Sequence, residues 1–235
     1  MKLPISNRLL ACAGFVAPGS RVADVGCDHG YLSIYLLTQG LATFCIASDV
    51  NQQPLLSASR NAAKFDVADR MSFHLSDGVQ NIPRDFDTLV CAGMGGDTMI
   101  HILDCAPWLR DSQYTLILQC QSKTPLLRQY LSEKGWRIHE ESVLRDGKFL
   151  YTVMQVVFQP DYPRLTEAEW YFPPALLENP GEDLPAYYRW VVKGLEIATE
   201  HQDDTEKRQV LAELIAMAED PNLDFLKEAN NGNRS

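Results

Sequence analysis

The sequence has no apolar run of eighteen residues, so no membrane-spanning helix is expected. Its start, Met1-Lys2-Leu3-Pro4-Ile5-Ser6-Asn7-Arg8, lacks the apolar core of a secretory signal, and residues 9–16 are too few to supply one. A cytoplasmic protein is expected. No two of the six cysteines form a C-x-x-C pair, and His74, His101, His139 and His201 show no ligand spacing, so no metal site is expected. Cys12, Cys45, Cys91 and Cys120 lie in apolar segments, which points to buried reduced thiols rather than disulfides. There is no internal repeat and no excess of positive charge. The net charge is −10, yet it is uneven: 14 Lys and Arg stand against 15 Asp and Glu up to residue 160, then 7 against 16. The front of the chain is nearly neutral and can carry a local basic face; the acidity sits in the tail.

What the sequence does have is an alternation of short apolar runs with helical stripes. Ser6 can cap a helix through Leu9, Cys12 and Phe15. Strands are expected at 21–25, 43–48, 71–75, 86–91 and 114–119, with helices between them at 30–38, from Pro54, at 97–105 and at 125–134. Two further strands, 136–144 and 149–158, flank Asp146-Gly147, a hairpin signal. The expected fold class is therefore α/β: a mostly parallel seven-stranded sheet with an antiparallel edge, the Rossmann-like arrangement usual for class I methyltransferases. Residues 1–160 form this domain. Beyond it, six prolines from Pro160 to Pro185 mark a connector. Two helical runs, 187–201 and 205–219, then carry apolar stripes (Tyr188, Val191, Val192, Leu195, Ala198 and Val210, Leu211, Leu214, Ile215, Ala218). Residues 161–235 are expected to be a coiled-coil-like helical hairpin that turns at 202–204, with a frayed end at 230–235.

The expected strand ends carry the chemistry. The first runs into Gly26-Cys27-Asp28-His29-Gly30, which has Asp28 where a dinucleotide fingerprint has its middle glycine. A carboxylate there repels a pyrophosphate and attracts a cation, as does Asp24 at the strand end. Asp49 ends the second strand, where an acid binds ribose hydroxyls in such folds, and Asp77-Gly78 ends the third. Ala92-Gly93-Met94-Gly95-Gly96 ends the fourth and leaves backbone open to a flat ring. A cationic nucleoside cofactor, S-adenosylmethionine, suits this set. Taken singly, each element also reads as an ordinary turn, with Asp28 or Asp97 as a helix cap.

These residues resemble the TrmK family of bacterial tRNA adenine-N1 methyltransferases. The resemblance runs through Ser6-Asn7-Arg8-Leu9, Ala23-Asp24-Val25-Gly26, Asp28-His29-Gly30-Tyr31-Leu32, Ala47-Ser48-Asp49-Val50 with Pro54, and Asp77-Gly78. It continues through Ala92-Gly93-Met94-Gly95-Gly96, Leu118-Gln119, Leu127-Arg128 and the hairpin bearing Glu141 and Tyr151. It implies an S-adenosylmethionine site in which Asp24, Gly26, His29, Gly30 and Tyr31 line the methionine end. Asp49 and Val50 would hold the ribose, Asn61, Asp77 and Gly78 would frame the adenine, and Gly93 and Met94 would flank the methyl group. It also implies a tRNA substrate methylated at adenine 22 of the D-arm and a tail that helps hold tRNA; a monomer is expected. Arg8, Gln119 and Arg128 are the candidates for tRNA contact; Lys64, Arg70, Lys134 and Arg137 are either part of an RNA face or solvated surface. Two positions depart from the family: Ser33 replaces a usual proline, and Gln119-Cys120-Gln121 replaces Gln-Pro-Asn.

Adenine N1 attacks with its own lone pair, so alignment matters more than a general base. Asp28 is the candidate catalytic residue, a carboxylate to stabilise the cationic product ring, with Asp97 second. Two rival readings are a methyltransferase of the same fold acting on a small molecule or protein, with the tail as a lid, and a non-catalytic cofactor-binding module. An NAD enzyme is opposed by Asp28.

Overall fold

The computed structural model describes residues 3–201 and 204–227. The expected turn at 202–203 and the fraying at 230–235 lie outside them. Seven strands form one sheet: β1 (Ser20–Val25), β2 (Ala42–Asp49), β3 (Met71–Leu75), β4 (Thr88–Gly95), β5 (Thr115–Ser122), β6 (Trp136–Asp146) and β7 (Phe149–Phe158), in the order β3-β2-β1-β4-β5-β7-β6. The first five are parallel, and β7 runs antiparallel to both β5 and β6. Strand order reverses between β1 and β4, and the crevice outside the strand ends at such a reversal is where these sheets bind ligands.

Both faces are covered, which is why the central strands read as unbroken apolar runs. One face carries Val22, Val90, Ile117 and Val153 under α1 (Asn7–Gly14), α2 (Tyr31–Thr38) and α3 (Gln52–Lys64). The other carries Ala23, Leu89, Leu116 and Met154 under α4 (Gly96–Asp104) and α5 (Thr124–Glu133). Each buried Leu or Ile of this kind contributes about 1.5–3 kcal/mol. Ser6 caps α1 as expected, its hydroxyl accepting from the Leu9 amide at 3.4 Å. The strand endings differ at one place: β4 does not stop at Cys91. It continues to Gly95 with a bulge at Gly93, whose φ of +78° suits glycine.

The proline-rich stretch after β7 is more ordered than a connector. It holds α6 (Glu167–Tyr171) and α7 (Ala175–Glu178). In α6, Thr166 and Glu169 cap each other's backbone amides in a capping box. The tail helices α8 (Leu184–His201) and α9 (Thr205–Met217) pack through Tyr188, Val191, Leu195, Val210, Leu214 and Ala218, and they bury Phe172 of the connector with them. Val143 and Leu150 of the β6–β7 hairpin pack against the same cluster. Ile215, expected on the buried stripe, is exposed, because the i, i+4, i+8 row from Val210 turns it to the far side.

Arg128 corrects an expectation. It was a candidate for tRNA contact, but it is fully buried and ion-paired at 2.7 Å with Glu141, which is also fully buried. It donates further to the carbonyls of Trp170 (2.9 Å) and Tyr171 (2.8 Å) and to the Tyr187 hydroxyl (3.2 Å). A guanidinium taken out of water must have its donors satisfied, and here the acceptors come from β6, α6 and α8 at once. Arg128 therefore fastens the tail to the sheet and is unavailable to a phosphate.

Candidate active site

The turn after β1 is built by close approach. The amides of Gly26 and Cys27 both donate to the Ser48 carbonyl of β2, at 2.8 and 2.9 Å. Gly26, Asp28 and Gly30 all have positive φ (+69°, +49° and +73°). A Cβ on Gly26 would collide with the Met94 methyl, and one on Gly30 would stand 2.9 Å from the Ala58 Cβ of α3. The turn thus has side-chain-free backbone facing Met94 on one side and α3 on the other.

Asp24, on β1, is 4% exposed, and Ser33 of α2 donates to its carboxylate at 2.7 Å. Burial pushes this carboxyl from 3.8 up to about 6; the hydrogen bonds from Ser33 oppose the rise and the charge of Asp49 adds to it. Asp49, at the end of β2, accepts from the Asn51 amide at 2.8 Å, and Val50 beside it is exposed. Gly78, at φ +56°, follows β3 and faces Ile102 of α4. Asp24, Asp49, Gly78, Gly93 and Met94 therefore share one sheet edge with the Gly26–Gly30 turn.

The remaining expected residues sit as follows. Asp28 does not cap α2, whose N-cap is Gly30 without a side-chain bond; its carboxylate is largely exposed, 3.6 Å from the His29 ring. His29 and Tyr31 place their rings 5.5 Å apart at the mouth of the turn. Asn61 braces the turn, its amide donating to the His29 carbonyl at 3.0 Å. Asp77 is exposed and 3.7 Å from His101, while Asp97 pairs with Lys123. Gln119, the second expected tRNA contact, is fully buried: its carbonyl oxygen accepts from the Gly93 amide at 3.0 Å and its amide donates to Cys120. It shapes the β4 tip from below instead of facing a substrate.

Arg8 of α1 stands over that tip. Its guanidinium pairs with Asp146 at 2.9 Å, lies 5.4 Å from the centroid of the Tyr151 ring, and comes within 3.5 Å of the Cβ position of Gly93. Gln121, at the end of β5, approaches the same position to 3.5 Å. Sequence reasoning missed Gln121 as a neighbour of Gly93 and Ser33 as the partner of Asp24. A visible signal existed for Ser33, the one hydroxyl in the apolar run Leu32–Leu37 apart from Tyr35. On the β5 side of the tip, a cleft of about 240 Å³ opens between the β5 end, the β7 start and α8.

Residues 5–154 match the family described as methyltransferase domain. A tRNA (adenine(22)-N(1))-methyltransferase of Bacillus subtilis (strain 168) is 30% identical over 154 residues, which span 65% of this chain and 65%, just under two thirds, of that relative. A Streptococcus pneumoniae protein solved in complex with S-adenosyl-L-methionine superposes with a TM-score of 0.79 at 28% identity, covering 89% of this chain and 99% of the other. The Bacillus subtilis M1A22 tRNA methyltransferase TrmK superposes at 0.76 with 25% identity, covering 96% and 98%. The chain belongs to the methyltransferase domain family.

Proposed function

We propose that the chain transfers the methyl group of S-adenosylmethionine to N1 of adenine 22 in the D-arm of tRNA, as a cytoplasmic monomer. The observation that carries this reading is the likeness of front and tail together to a tRNA m1A22 methyltransferase, 98% of whose chain is covered. The residues present fit the cofactor. A buried carboxylate, Asp24, beside a glycine turn that presents bare backbone suits a cationic methionine end. Asp49 suits ribose hydroxyls, and Gly78 follows β3 on the same sheet edge, where the adenine would lie. When bound, S-adenosylmethionine supplies an electrophilic methyl group on a sulfonium.

The chain's own residues then align and shield. Gln119 fixes the bulged Gly93 backbone, so the β4 tip presents a rigid surface to the acceptor ring. Arg8, held by Asp146 and Tyr151, closes the tip from above. Adenine N1 needs no proton removed before attack, so no general base is required beside Gly93. Asp28 is the carboxylate proposed to stabilise the cationic ring.

A second reading, a small-molecule or protein substrate with the tail as a lid, is favoured by the net −9 of residues 161–235. Labelled methyl transfer to bulk tRNA from a strain lacking this protein, with nucleoside analysis, separates the two. Labelled 1-methyladenosine is expected. Cofactor binding without label in tRNA would overturn the tRNA reading in favour of the lid.

A further inference from the structure

The cleft on the β5 side is distinct from the methyl-transfer point, because neither Gly26, Gly93 nor Met94 lines it. It is adjacent to that point, because Gln121 lines it and also reaches the Gly93 position. Its volume of about 240 Å³ falls below the roughly 300–1,000 Å³ of pockets for drug-sized ligands, which suits one flat ring.

Two features of its wall point to an occupant. Tyr151, Tyr171 and Trp190 bring ring surface to it, and Trp190 is 62% exposed. Gly194 lies inside α8, where glycine weakens a helix relative to alanine, and nothing stands within 4 Å of its Cβ position. Gly194 thus costs the free protein stability, the signature of a position kept for binding.

We propose that this cleft is a second base subsite, holding a nucleobase of the RNA that neighbours the acceptor adenine. The proposal rests on the tRNA reading above. The base stacks on the aromatic rings, a contact indifferent to base identity. Gln121 hydrogen-bonds its edge and supplies the selectivity. Seating the neighbour sets the register of the strand and so decides which adenine reaches the methyl group.

The test uses the full-length protein as wild type, Trp190→Ala and Gly194→Leu, on tRNA and on tRNAs with one abasic nucleotide 5′ or 3′ of the acceptor. Trp190→Ala should melt near wild type and Gly194→Leu at or above it, and both should bind S-adenosylmethionine unchanged, yet lose at least about fivefold in kcat/KM on intact tRNA, the scale of one stack. One abasic substrate should cost wild type a similar factor and cost Gly194→Leu nothing further, because both remove the same contact. Variants within about twofold of wild type on tRNA, additive losses on the abasic substrate, or weakened cofactor binding would each overturn the subsite. Wild type that binds cofactor without methylating any tRNA would overturn the tRNA reading and the subsite together; an active wild type with fully active variants overturns the subsite alone.

Discussion

Replacing Asp24 by asparagine should make the protein more stable at neutral pH and unable to hold its cofactor. Asp24 is buried on β1, and burial raises its carboxyl from 3.8 to about 6. The fold therefore prefers the protonated form. Below pH 3.8 the group is neutral folded or unfolded, and nothing is lost. Between 3.8 and 6 the unfolded chain releases its proton first, and the cost of keeping the carboxylate inside grows; above 6 the full cost stands. A little over two decades of proton affinity, at 1.36 kcal/mol each, makes that cost about 3 kcal/mol. Asparagine keeps the shape without the charge. In a domain of this size about 2–4 °C of Tm accompanies each kcal/mol, so the variant should melt about 6–12 °C higher at pH 7.5.

Thermal unfolding of both proteins from pH 4 to 8 measures this. The difference in Tm should be small at pH 4, open as pH rises toward 6 and level off above it; other titrating groups cancel in the comparison. Saturating S-adenosylmethionine should raise the Tm of wild type and leave the variant unmoved, since a cationic ligand restores to Asp24 the partner that burial withholds. Parallel Tm curves across the whole range would refute the burial argument, and wild-type cofactor affinity in Asp24→Asn would refute the role of the carboxylate.

Three further outcomes are expected. Asp28→Asn should lower the rate of methyl transfer strongly with an unchanged Tm, because its carboxylate is exposed and caps no helix and asparagine tolerates its φ of +49°; a wild-type rate would remove it from the mechanism. Arg128→Met leaves Glu141 buried without a partner and should cost about 3–5 kcal/mol in urea unfolding; a loss under about 1 kcal/mol would contradict the buried network. Of the six thiols only Cys105 is exposed, and burial pushes those of Cys12, Cys45 and Cys91 up to about 12. A thiol reagent should therefore label the native protein at Cys105 alone, and fast labelling of a second site would show that a core thiol reaches solvent.

The sheet was legible because its information is local. Alternating runs and Gly or Asp punctuation located all seven strands, and the hairpin signal placed the antiparallel edge. The glycine turn at 26–30 was legible for the same reason: five consecutive residues state its geometry. The side chains that act across the fold were not. Gln119 and Arg128 are polar residues on apolar elements, a pattern that fits a substrate face as well as an interior. Only the 26 residues of separation from Gly93 to Gln119, and the 59 from Arg128 to Tyr187, brought together in space, decide it. The capping box in the connector was written in Thr166 and Glu169, but the surrounding prolines argued louder for a loop.

That buried network bears on what the tail does. If residues 161–235 only gripped RNA, removing them would spare the cofactor site. The structure argues otherwise. Arg128 takes three of its acceptors from α6 and α8, and without them a guanidinium and Glu141 face water through an opened wall. Val143 and Leu150 of the hairpin lose their cover as well. The same hairpin supplies Asp146 and Tyr151, which hold Arg8 over Gly93. A chain cut at residue 160 should therefore unfold at lower urea and bind both tRNA and S-adenosylmethionine more weakly. Calorimetry with the cofactor alone decides it: full cofactor affinity in the truncated chain would show that the front half stands by itself and that the tail serves only the RNA.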